Sequence, residues 1–126
     1  MDAKHPFVRQ YIETALWSSN DGSDESGGEP FDENYGEEDL APKTVEKMRA
    51  DCEAFFNKAA PILDTIEHLD YEMVAHDFWL TRNGHGAGFW DGDYPEPQAQ
   101  QLTDLSKKFG ERWLYLGDDG LIYQDP

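Results

Sequence analysis

The stretch His76-Asp77-Phe78-Trp79-Leu80-Thr81-Arg82-Asn83-Gly84-His85-Gly86-Ala87-Gly88-Phe89-Trp90-Asp91 constrains the fold more than any other part of this chain. Asn-Gly between apolar runs is a strong hairpin signal, because both residues tolerate the positive φ of a type I′ turn. A turn at Asn83-Gly84 predicts antiparallel strands over 77–82 and 86–90. Arg82 then faces His85, Leu80 faces Ala87, Phe78 faces Phe89 and His76 faces Asp91, all on one side of the ribbon. The other side carries Asp77, Trp79, Thr81 and Trp90, with Gly86 and Gly88 leaving room above Trp79. Met73, Val74, Asp77 and Leu80 also fit helical spacing, so a helix through Phe78–Arg82 is the competing assignment.

The remaining elements follow from periodicity and punctuation. Phe7, Val8, Tyr11, Ile12, Ala15 and Leu16 form one apolar stripe, with Pro6 in the first helical turn and Ser18-Ser19-Asn20 as the stop. A second helix is predicted from Pro42 to about Ala59 on Val45, Met48, Cys52, Phe55, Phe56 and Ala59. Pro61 should open a short third helix reaching about Leu69, and another is expected over Pro97–Phe109, stopped by Gly110. At the end, Arg112–Leu116 and Leu121–Tyr123 flank Gly117-Asp118-Asp119-Gly120, a second hairpin. The predicted class is α+β: a small antiparallel sheet built from two β-hairpins, covered by about four helices, in a single domain spanning 1–126.

Charge narrows the partners. The chain of 126 residues has a formal net charge of −17 and a pI near 4.3, so nucleic acid and anionic membrane are disfavoured as direct partners and basic surfaces are favoured. Aromatic residues make up 13% of the chain, enough apolar area to argue against wholesale disorder. The one cysteine, Cys52, cannot form an intrachain disulfide and sits on an apolar stripe, which suits a buried thiol in a reducing cytosol. No apolar run is long enough to span a bilayer, and Met1-Asp2-Ala3-Lys4-His5-Pro6 does not read as a signal peptide. A long loop over about 20–41 carries Asp21, Asp24, Glu25, Glu29, Asp32, Glu33, Glu37, Glu38 and Asp39 without a Lys or Arg. Phe31, Tyr35 and Leu40 are placed to pin it to the domain.

Tyr11-Ile12-Glu13-Thr14-Ala15-Leu16-Trp17-Ser18, the His76–Asp91 stretch and Gly117-Asp118-Asp119-Gly120-Leu121-Ile122-Tyr123 resemble a family of small acidic proteins carried by bacteriophages and other mobile elements. The resemblance covers nearly the whole chain. It implies a bacterial host cytoplasm and brings no activity or catalytic residues with it.

Two functional readings remain. The first is a non-enzymatic acidic protein that binds and modulates or inhibits a basic, nucleic-acid-binding host protein, such as a restriction or CRISPR component. Its carboxylates from Asp21 to Asp39 would stand in for nucleic-acid phosphates, as in an anti-defence DNA mimic. Trp79 and Trp90 are its candidate aromatic anchors. The second is a small enzyme or ligand-binding protein using His76, Asp77, Arg82, His85 and Asp91. In that cluster Arg82 and His85 could grip an anion, although Gly86 and Gly88 lack the converging amides of a phosphate loop. No metal or other cofactor is expected, since the chain has no Cys-x-x-Cys, His-x-x-x-His or His-Glu-x-x-His.

Overall fold

The computed structural model describes residues 1–19, 31, 35–84, 88–90 and 94–125. Its elements run α1 (Pro6–Ser18), a short 3₁₀ turn η1 (Glu37–Asp39), α2 (Pro42–Leu63), α3 (Tyr71–Arg82), α4 (Gln98–Lys108), β1 (Trp113–Leu116) and β2 (Ile122–Asp125). The described residues thus form an α+β arrangement of four helices with one two-stranded antiparallel sheet.

α1 begins where the sequence says it should. His5 caps it, its Nδ1 accepting from the Phe7 amide at 3.2 Å, and Pro6 occupies the first turn. All six stripe residues, Phe7 to Leu16, are buried. α2 also starts at its proline, but it does not stop at Ala59. Pro61 lies inside the last turn, so the predicted short helix from Pro61 to Leu69 is instead the end of α2 followed by turns. Proline removes one amide donor there, yet Leu63 continues the stripe of Phe55 and Ala59 and is 1% exposed. Burial of a leucine contributes about 1.5–3 kcal/mol, enough to offset one lost hydrogen bond.

The largest departure is α3. The predicted strand 77–82 is helical, and no hairpin forms around Asn83-Gly84. Asp70 caps this helix, its Oδ1 accepting from the amides of Glu72 at 2.9 Å and Met73 at 3.4 Å. Val74, Ala75 and every residue from Asp77 to Arg82 are buried, so the second half of α3 is covered on all sides. A helix satisfies its backbone groups internally and can be enclosed in this way, whereas a two-stranded ribbon leaves edges unpaired. Asn83 serves as the C-cap and Gly84, at φ +69°, takes the left-handed position that follows. Of the predicted strand 86–90, residues 88–90 are described; they form a bend and turn against α3, where the Phe89 amide donates to Thr81 Oγ1 at 3.2 Å. Gly88 leaves room for Thr81 and the Trp90 ring, not for Trp79; a Cβ there would overlap both. Gly86 lies outside the described residues, as do His85 and Asp91.

The C-terminal hairpin forms as predicted, pairing Leu116 with Ile122 and Tyr115 with Tyr123 and extending to Trp113 with Asp125. Gly120 supplies the positive φ, +82°, and Asp119 Oδ1 accepts from the Leu121 amide at 3.0 Å. β2 is tied to the start of α2 through one carbonyl. Ile122 O accepts from the Ala41 amide and from Thr44 Oγ1, both at 3.0 Å. The core packs between these elements. Phe55 of α2 stacks on Phe78 of α3 with ring centroids 4.0 Å apart, and Phe109, Phe89 and Tyr11 close around them. Phe31 is fully buried beside Tyr35, and Leu40 is buried as well, so all three hydrophobics of the acidic segment pack against the domain.

Candidate functional site

Of the expected hairpin cluster, His85 and Asp91 lie outside the described residues, and the helix gives His76, Asp77 and Arg82 different surroundings. Arg82 points inward and is 2% exposed. Its Nη1 donates to Tyr11 Oη at 2.9 Å and to Asp51 Oδ2 at 2.8 Å. Nε and Nη2 donate to the carbonyls of Gly110 and Phe109, both at 2.9 Å. Burial works against the charge, but Tyr11 and Asp51 more than offset it and hold the guanidinium above its ordinary pKa. Burial likewise pushes the Tyr11 phenol far above its usual value. Arg82 therefore ties α1, α2, α3 and the α4–β1 link together, with its donors committed inside the protein instead of facing an anion. Asp77, one residue after His76 on the helix, is buried and accepts from Tyr94 Oη at 2.7 Å. Trp79 is 1% exposed and part of the core, with Nε1 donating to Ser18 Oγ at 2.7 Å. Trp90 remains 44% exposed. Cys52 is buried, and its thiol is pushed well up, chiefly by desolvation, which removes it as a nucleophile. Among the described residues no group of three His, Cys, Asp or Glu is placed to hold a metal ion.

Among the described members of that cluster, His76 lines a surface depression. α1 and α3 pack side by side, and a shallow groove runs along their outer seam. α1 lines it with Pro6, Arg9, Gln10, Glu13, Thr14 and Trp17, and the start of α3 with Asp70, Glu72, Met73 and His76. Three hollows follow one another: about 290 Å³ at Pro6, Arg9 and Glu37, and about 170 Å³ on each side of His76. Pro6, Gln10, Glu13 and Trp17 recur at helical spacing, so one face of α1 supplies one wall. That face lies opposite the buried stripe, and Trp17 on it is 54% exposed.

Charge along the groove is mostly negative. Glu13, Glu37 and Glu72 are exposed, and Arg9, the one Lys or Arg among the described lining residues, meets Glu37 at 3.5 Å in an exposed pair. The acidic stretch expected to bind a partner divides here. Asp21, Asp24, Glu25, Glu29, Asp32 and Glu33 lie outside the described residues. Glu37 and Glu38 are exposed, whereas Asp39 Oδ2 accepts from the Gly36 amide at 2.8 Å and shapes the turn. Beyond the groove, the outer face of the hairpin bears Trp113 and Tyr115, 53% and 46% exposed. Tyr115 is stacked on Tyr123, over which Lys43 Nζ sits at 4.9 Å.

No family model, curated protein or solved structure matches this chain. No helix among the described residues is long and apolar enough to cross a membrane. The site is therefore defined by its own geometry. Sequence reasoning passed over Trp17, Gln10 and Glu13, although a tryptophan opposite the apolar stripe of α1 was a usable signal. The link from Thr14 to His76, 62 residues apart, had no such signal.

Proposed function

We propose that this chain is a non-enzymatic acidic binding protein that docks on a basic, nucleic-acid-binding protein of a bacterial host and modulates or inhibits it, in the manner of an anti-defence nucleic-acid mimic. The observation that carries this reading is the α1–α3 groove, where exposed Glu13 and Glu72 flank exposed Trp17 and Met73. Carboxylates on a chain of net charge −17 raise the on-rate for a cationic surface, and an exposed aromatic supplies the buried contact that holds it. Arg82 and Asp77, two members of the alternative enzyme cluster, have partners inside the fold, which weighs against that alternative. A restriction or CRISPR component is the kind of target that the phage resemblance suggests.

The test is capture from bacterial lysate by the wild-type chain and by a Glu13→Gln, Glu38→Gln, Glu72→Gln triple variant, at low and high salt. The expected partner is a nucleic-acid-binding protein that competing duplex DNA or about molar salt releases, since screening then shortens the range of these charges to a few ångströms. The variant should retain less of it. A partner whose retention ignores salt, DNA and the three substitutions would overturn the proposal.

A further inference from the structure

We propose that the hollow between Trp17 and His76 receives an arginine side chain of the docked protein; this rests on the groove being the docking surface. The hollow, about 170 Å³, is lined by Gln10, Glu13, Thr14, Trp17 and His76.

Its walls suit a planar cation. The Trp17 and His76 rings lie 6.0 Å apart, tilted by 37°, and Trp17 is 54% exposed. An indole is the best aromatic surface for a guanidinium, which both stacks on it and is attracted to its negative face. Glu13 adds an exposed carboxylate within the same lining.

Hydrogen bonds around Thr14 hold the His76 ring in place. Thr14 Oγ1 donates to Gln10 O at 2.9 Å and accepts from Gln10 Nε2 at 3.2 Å. It also lies 2.9 Å from His76 Nδ1, within hydrogen-bond distance. Thr14 is itself buried between the helices, 2% exposed, so the ring is anchored from below. The lining therefore offers an aromatic ring and a carboxylate. A guanidinium, which combines a stackable plane with donors in a fork, uses both; an ammonium is more strongly hydrated and does not stack.

The experiment titrates the whole chain with two peptides of equal charge, Lys-Lys-Arg-Lys-Lys and penta-lysine, at one fixed low salt concentration. The expected result is roughly fivefold tighter binding of the arginine peptide. Trp17→Ala should abolish that preference, weakening the arginine peptide more than penta-lysine, and Trp17→Phe should restore part of it. Trp113→Ala, which removes an equally exposed tryptophan on the hairpin, should leave the preference intact. Trp17 is exposed, and circular dichroism checks that its variants fold. Equal binding of the two peptides, or an arginine preference that survives Trp17→Ala, would overturn the arginine pocket. Carboxylate-dependent binding of both peptides in that case still supports an acidic docking surface. Failure of either peptide to bind at low salt would count against both.

Discussion

Two glycines with nearly the same backbone conformation end two very different elements. Gly84, at φ +69°, follows Asn83 and terminates a helix, while Gly120, at φ +82°, follows Asp119 and reverses a strand. Each is the second residue of an Asx-Gly pair, and each provides the left-handed position that its turn requires. The difference lies in what flanks them. Before Gly84, every residue from Asp77 to Arg82 is enclosed by neighbouring elements; before Gly120, β1 keeps Leu114 buried and Trp113 and Tyr115 in solvent. Turn chemistry thus specifies where the chain changes handedness. The burial demanded of the flanks decides whether a helix or a ribbon arrives there.

Arg82 is the strongest lever on that contrast, because it locks the last turn of α3 to three other parts of the fold. Arg82→Ala should cost on the order of 3–5 kcal/mol, since it strands the Asp51 carboxylate and the carbonyls of Phe109 and Gly110. Chemical denaturation measures this, and a loss below about 1 kcal/mol would show that the helix end does not depend on the knot. No single residue of the hairpin should be worth as much.

Asn83 comes next. Its Oδ1 accepts from the Arg112 amide at 2.8 Å and its Nδ2 donates to Trp79 O at 3.0 Å, so the cap of α3 also fixes the approach to β1. Asn83→Ala should cost roughly 1–3 kcal/mol, chiefly by taking the side-chain acceptor from the Arg112 amide. Asp119→Ala at the hairpin should cost less, because its bonds to Leu121 and Tyr123 are exposed. Equal losses in denaturation would erase the distinction between an enclosed turn and a solvated one.

The two glycines themselves allow a controlled comparison. Among the described residues, a Cβ at Gly120 meets nothing within 4 Å, and one at Gly84 meets only Glu111 Oε1 at 3.9 Å. Gly84→Ala and Gly120→Ala should therefore each lose about 1–2 kcal/mol, from backbone conformation alone. Thermal melts of the pair should shift together. A much larger shift at Gly84 would reveal a packing constraint absent from the static contacts.

The smallest expected effect is electrostatic and lies away from both turns. The N-terminal ammonium, at 2.9 Å, and Arg49, at 3.2 Å, hold the Glu53 carboxyl below its ordinary pKa. A carboxylate depressed in the folded state stabilises above its unfolded pKa and loses that contribution as pH falls through the folded value. Acid should thus weaken this end of α2, while Glu53→Gln should flatten the stability profile across the carboxylate range. An unchanged profile would mean that the pair is fully screened.

Much of the fold was readable wherever local rules and burial agree. α1, the start of α2, α4 and the C-terminal hairpin each combine a matching apolar period with the proper cap or turn residue. α3 was not, because its second half has no polar face by which to tell a period of two from one of 3.6. His76 was visible as a chemically capable residue, but its partners Thr14 and Trp17 come from a helix more than fifty residues away.

Composition alone set the charge of −17, and with it the preference for cationic partners, since net charge needs no fold. Local sequence alone also set the helix starts at Pro6 and Pro42 and the left-handed glycines, because caps and φ preferences act within a few residues. Tertiary structure decided that Arg82 and Trp79 are interior, that Trp17 is exposed, and that His76 lines a groove. Those outcomes depend on which helices enclose which faces, and that is settled only when distant segments compete to bury their apolar area together.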